Sequence, residues 1–181
     1  MRKNKRGLPA GRQGFTLIEA LVMIAVISSI SAILIVNWRK SEKKYQLQRT
    51  AQEVVQNIRK VQNMALSGTE SNDLLPDSYG ISFDASTPNS YILFGDRNGN
   101  KSFQTATSDI VVSQITIEPG VELSLPRDYD ITFTIPDGFV NIRPSAPGGS
   151  ITITIKRTGK VCPSSDCKDI TITTTGQINI E

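Results

Sequence analysis

The feature that most constrains this chain is an unbroken apolar run at residues 15–36, FTLIEALVMIAVISSISAILIV, in which Glu19 is the only charge. A helix rising about 1.5 Å per residue would carry this run across roughly 33 Å, enough for a bilayer core of about 30 Å. The expectation is therefore a single membrane span. A cleavable secretory signal competes for the same residues, but its apolar region runs about 7–15 residues and ends in a small-residue cleavage site. Here the run passes instead into Asn37-Trp38-Arg39-Lys40, an interfacial aromatic and two cations, so the segment is expected to stay attached. Arg2, Lys3, Lys5, Arg6 and Arg12 precede the run and favour a cytoplasmic N-terminus, with the rest of the chain on the outer side. Arg39, Lys40, Lys43 and Lys44 at the other end weaken that asymmetry.

Glu19 is what a plain anchor leaves unexplained. An ionisable group in hydrocarbon costs on the order of 3 kcal/mol and normally has a partner. Either Glu19 snorkels to the interface or a cation comes to it.

Charge and residue usage narrow the function class. The net charge of +3 misleads, because the five leading cations meet no acid in the first fourteen residues; without that segment 15 basic residues face 17 acidic ones, a charge of −2. Such a chain has no general electrostatic reason to bind polyanions, and nucleic acid is not an expected partner. There is no histidine, so the commonest general base and metal ligand are both missing. No Gly-x-Ser-x-Gly, phosphate loop or metal cluster takes its place, and neither an enzyme nor a cofactor is expected.

Past the span, residues 41–67 contain no Pro or Gly, and Leu47, Ala51, Val54, Val55, Ile58, Val61 and Ala65 recur at spacings of three and four. This predicts an amphipathic continuation of the same helix, stopped at Gly68 with Pro76 beyond. From Tyr79 the period changes to two: Ile81 and Phe83; Tyr91 and Leu93; Ile115 and Ile117; Ile131, Phe133 and Ile135; Ile151, Ile153 and Ile155; Ile170 and Ile172. These read as half-buried antiparallel strands, separated by turns at Asp137-Gly138, Pro147-Gly148-Gly149 and Thr175-Gly176. The fold class is α+β: a long N-terminal helix whose outer half packs on an antiparallel sheet of about seven or eight strands.

The string Gly14-Phe15-Thr16-Leu17-Ile18-Glu19, behind a basic stretch and ahead of an apolar run with small residues, resembles the class III leader junction of type IV pilins and secretion-system pseudopilins. The resemblance implies that a membrane aspartyl peptidase, the prepilin peptidase, cuts after Gly14 and methylates the Phe15 amine. Glu19 then falls at mature position five, where the family's glutamate pairs with the N-terminal amine of a neighbouring subunit. The partners implied are other pilin or pseudopilin subunits, the peptidase, an inner-membrane assembly platform and membrane lipid. The implied divisions are a leader at 1–14, a transmembrane and assembly helix at 15–36, its amphipathic continuation at 37–68 and a β-rich extracytoplasmic head at 69–181. The helix end from Arg59 to Gly68, the Asp-Arg-Asn-Gly-Asn loop and the terminal Thr-Gly-Gln-Ile-Asn-Ile look like GspH/FimT-type minor pseudopilins. DNA-uptake members carry arginines around the C-terminal glycine motif; here Gly176-Gln177-Ile178-Asn179 has none. A structural subunit of a pilus or type II secretion-like filament is thus expected, with a DNA- or substrate-binding minor pilin as the alternative.

Two local motifs carry competing readings. Asp96, Asn98 and Asn100 alternate oxygen side chains as a calcium loop begins, but the turn glycine comes at position four instead of six and Thr107 stands where a bidentate glutamate would close the site. Side-chain Asx turns explain the same residues. Cys162 and Cys167, with four residues between them and strand patterns on either side, fit neither a four-ligand zinc site nor a two-residue redox gap. Outside the cytoplasm they would form a disulfide across a hairpin turn; otherwise they are two free thiols.

Overall fold

A computed structural model describes residues 15–71, 75–104 and 108–181, and within them all side chains but those of 34–41, 43 and 147. The leader, Gly14 included, and Thr107 lie outside the described residues. The chain divides into two units, Met1–Glu42 and Lys43–Glu181.

The one long helix, α1, runs Leu17–Ser67. Its stop is a Schellman turn: Gly68 takes φ +58°, its N–H donates to Ala65 O (3.2 Å) and the Thr69 N–H donates to Met64 O (3.1 Å). In the first unit the helix side chains from Leu17 to Ile33 are exposed and mostly apolar, and Glu19 is the only charge among them. Among the described residues no helix is long and apolar enough to cross a membrane. The apolar run with described side chains stops at Ile33; the expected span also used Leu34, Ile35 and Val36, whose side chains lie outside the description.

In the second unit α1 is amphipathic, and all seven residues of the sequence-derived stripe, Leu47 through Ala65, are buried. They share one apolar core with two antiparallel sheets. The strands are β1 Ser78–Phe83, β2 Ser90–Asp96, β3 Ile110–Thr116, β4 Val121–Ser124, β5 Tyr129–Thr134, β6 Val140–Arg143, β7 Ser150–Arg157, β8 Cys167–Thr173 and β9 Ile178–Ile180. One sheet is ordered β3-β2-β1-β5-β6 and the other β4-β7-β8-β9. The expectation of one sheet with seven or eight strands is corrected to nine strands in two sheets among the described residues. Both sheets turn one apolar face to the same core, so alternation alone does not tell them apart. Inward residues face each other across strands, as Ile81 does with Leu93 and Ile131, and Ile153 with Ile170. Burying one such Ile removes enough apolar surface to contribute about 2–3 kcal/mol.

The outer face of the five-stranded sheet is built differently. Leu93 and Phe94 are in unbroken register with β1 and point to opposite faces as strand neighbours do, yet both are fully buried, so the outer face is covered as well as the inner one. Phe94 lies over Gly80, where an added Cβ would come within 2.6 Å of the ring, and Phe103 packs on Phe94 with centroids 5.2 Å apart. The segment after β2 therefore folds back over the sheet instead of standing away from it.

Candidate functional site

At the N-terminus, Phe15 is 74% exposed and Thr16 begins the helix as its cap. The Glu19 N–H donates to Thr16 Oγ1 (3.3 Å) and the Ala20 N–H to Thr16 O (3.1 Å). Thr16 and Glu19 thus stand in the Thr-x-x-Glu relation of a capping box, with the carboxylate in the first turn, at the positive end of the helix dipole. Thr16 was legible as a cap from that spacing alone and was missed because the string was read for its junction. About three turns further on, the Ser29 hydroxyl donates to Ala25 O (2.9 Å), which satisfies its proton within the helix. The surface so made is apolar apart from Glu19 and three small serines, Ser28, Ser29 and Ser31, a form suited to burial against lipid or other apolar helices.

The Asp96 loop is built by its own backbone. Asp96 is fully buried; Oδ1 accepts from the Gly99 N–H (2.9 Å), and Oδ2 from the Lys101 N–H (2.8 Å) and the Ser78 hydroxyl (3.1 Å). Asn98 Oδ1 accepts from the Asn100 N–H (3.0 Å) and Asn100 Oδ1 from the Ser102 N–H (2.8 Å). The oxygens that would begin a calcium loop are the acceptors of successive Asx turns. Asp109 and Asp130, which the sequence did not single out, finish the loop: Asp109 accepts from the Gln104 N–H (2.7 Å) and Asp130 from the Ser102 hydroxyl (2.5 Å). Among the described residues no group of three or more His, Cys, Asp or Glu is placed to hold a metal ion.

Beside this loop the sheet's outer face forms a cleft of about 500 Å³, with Phe103 and Gln114 on its walls. Among the described residues its charged groups are Asp84, Asp128, Asp130 and the cation Arg143. Hydrogen bonds from the Ser86 hydroxyl and N–H hold Asp84 below the usual carboxylate range, and the carboxylates outnumber the guanidinium, which makes the cleft acidic. Its sign is wrong for phosphate. The Gly176 turn likewise presents Gln62 and Val140 as neighbours.

Cys162 and Cys167 are bonded, with Cα atoms 6.0 Å apart, in the connection from β7 to β8. Arg157 closes the base of that loop: Nη1 lies 2.6 Å from Asp166 Oδ1, and the Arg157 N–H donates to Asp166 O (3.1 Å). The guanidinium hydrogen bond holds the Asp166 carboxyl below its ordinary value.

No protein-family model matches the chain, and no curated protein matches it. Among solved structures it is similar to the minor pseudopilin EpsH from the type 2 secretion system of Vibrio cholerae, at 17% identity and a TM-score of 0.48, covering 75% of this chain and 96% of that one. A likeness at that level leaves function to be argued from this chain's own residues.

Proposed function

We propose that this chain is a structural subunit, a minor pilin or pseudopilin, of a type IV pilus or type II secretion-like filament. The observation that carries the reading is the start of α1: its side chains from Leu17 to Ile33 are exposed and largely apolar, begin beside the Gly14-Phe15 junction and include one charge, Glu19, in the first turn. In this reading the helix spans the cytoplasmic membrane with the β-rich head outside. Prepilin peptidase cuts after Gly14 and methylates the Phe15 amine, and the helices then bundle out of lipid. Glu19 aligns each incoming subunit by pairing with the amine of its neighbour, which removes an uncompensated charge from the apolar bundle. The acidic cleft and the cation-free Gly176 turn support a structural subunit over a DNA receptor.

The test is incorporation of Glu19→Ala and Glu19→Gln into filaments sheared from cells that assemble them. Cleavage should persist, because Glu19 lies beyond the scissile bond, while incorporation falls by about tenfold or more, as expected for leaving one buried charge unpaired. Variants incorporated as well as the natural chain would refute the role given to Glu19.

A further inference from the structure

Hydrogen bonds and ion pairs fix which loops of the head lie beside the start of its helix. Arg49 Nη1 on α1 lies 3.2 Å from Glu118 Oε1, in the turn between β3 and β4. Two residues on, Gly120 O accepts from the Thr158 N–H (3.1 Å), and Val121 pairs with Arg157 in the β4–β7 ladder. The disulfide-closed connection from β7 to β8 is therefore held at the end of the head where Lys44 and Tyr45 lie, about one helical turn before Arg49. The fields of Lys44 and Lys160 at the Asp166 carboxyl agree with this placement. At the other end lie Thr69, whose carbonyl accepts from the Tyr79 hydroxyl (2.6 Å), and Leu66 against Gly138.

The first of these ends has a particular surface. Its carboxylates Glu118 and Asp166 are each matched by an arginine, whereas among the described residues neither Lys44 nor Lys160 has an ion-pair partner. Val161, next to Lys160, is 85% exposed, and Tyr45, next to Lys44, is 70% exposed. The Cys162–Cys167 bond and the Arg157–Asp166 pair anchor the connection and leave Val161 exposed beside Cys162. Two cations, each adjacent in sequence to an exposed apolar or amphipathic side chain, suit a surface that is anionic outside and apolar just beneath. In sequence the patch lies a few residues after the apolar run, behind Arg39, Lys40 and Lys43.

We propose that this end of the head is a lipid-contacting surface, on which Lys44 and Lys160 meet the phosphates of anionic headgroups while Val161 and the Tyr45 ring lie in the interface. The proposal rests on the membrane reading given above and goes beyond it, since an anchored head need not touch the bilayer. Before assembly this contact would hold the head down on the membrane, and entry into a filament would have to release it.

The full chain is reconstituted into vesicles of phosphatidylcholine alone or mixed with phosphatidylglycerol, with brominated acyl chains as quencher. The natural chain reports membrane insertion by flotation and by quenching of Trp38. Val161→Trp in a Trp38→Phe background reports the loop. Emission of the loop tryptophan should shift to the blue and be quenched about twofold more in the anionic vesicles, and both effects should fade at high salt and in Lys44→Glu/Lys160→Glu. A chain that floats with Trp38 quenched but leaves the loop tryptophan unquenched overturns this inference and spares the membrane reading. Quenching that survives the double charge reversal overturns the role of the lysines. A chain that does not float overturns the membrane reading and this inference together.

Discussion

Replacing Asp96 separates the two readings of the Asp-x-Asn-x-Asn loop. In Asp96→Ala three donors lose their acceptor: the Ser78 hydroxyl and the N–H groups of Gly99 and Lys101. Hydrogen bonds to a carboxylate are worth about 1.5–3 kcal/mol each. The full sum is not reached, because Gly99 and Lys101 are half-buried and their amides regain water once the loop loosens, whereas Ser78 is buried. The expected loss is about 3–4 kcal/mol, and about 2 kcal/mol for Asp96→Asn, which keeps one acceptor oxygen. Urea unfolding of the full chain in detergent, followed by circular dichroism, gives the loss. Hydrogen exchange at the Gly99 and Lys101 amides, which should speed up in both variants, assigns it to the loop. Since the loop oxygens already accept backbone protons, calcium should leave the midpoint of the natural chain where it was. A loss under about 1 kcal/mol for Asp96→Ala, or a natural chain stabilised by calcium and loosened by a chelator, would refute the reasoning.

Two further outcomes follow from the head. Reducing the Cys162–Cys167 bond, or replacing both residues by Ser, should lower stability by about 2 kcal/mol, the chain-entropy value for so short a loop, without loss of the fold; identical urea midpoints with and without reductant would contradict this. The Tyr91 phenol is pushed up to about 12 by burial, only partly offset by the hydrogen bond that Asn57 Nδ2 donates to it (2.7 Å). Because the folded value lies above the unfolded one near 10, its contribution of about 3 kcal/mol is fully present below pH 10 and lost as pH rises towards 12. Tyr91→Phe should flatten that part of an alkaline unfolding series, and an unchanged slope would count against the buried phenol.

The helix was the most legible part of the fold because its signal is long. Seven residues at spacings of three and four bury together, and a glycine stops the helix where a left-handed residue is required. The strands with two or three inward Ile, Phe or Tyr were equally plain. Those missed, Val121–Ser124, Val140–Arg143 and Ile178–Ile180, have three or four residues each and too few alternations to stand out. Phe94 keeps the alternation but places a large apolar side chain on the outer face, where the pattern expects a polar one, so the outer layer around Phe103 was invisible to a pattern search. At the candidate site the disulfide could be read from its position between strands, whereas the roles of Asp109 and Asp130 depend on a loop folding back onto residues distant in sequence. Thr16 shows the reverse case, a local cap signal present in the sequence and passed over.

The claim that this is a processed filament subunit is met most directly by the intact mass and N-terminal sequence of the membrane-extracted chain, expressed with and without a prepilin peptidase. The account predicts a chain beginning at methylated Phe15 only when the peptidase is present. A chain beginning at Met1 in both cases would contradict it, and would leave Glu19 a charge in an apolar helix without the partner proposed for it.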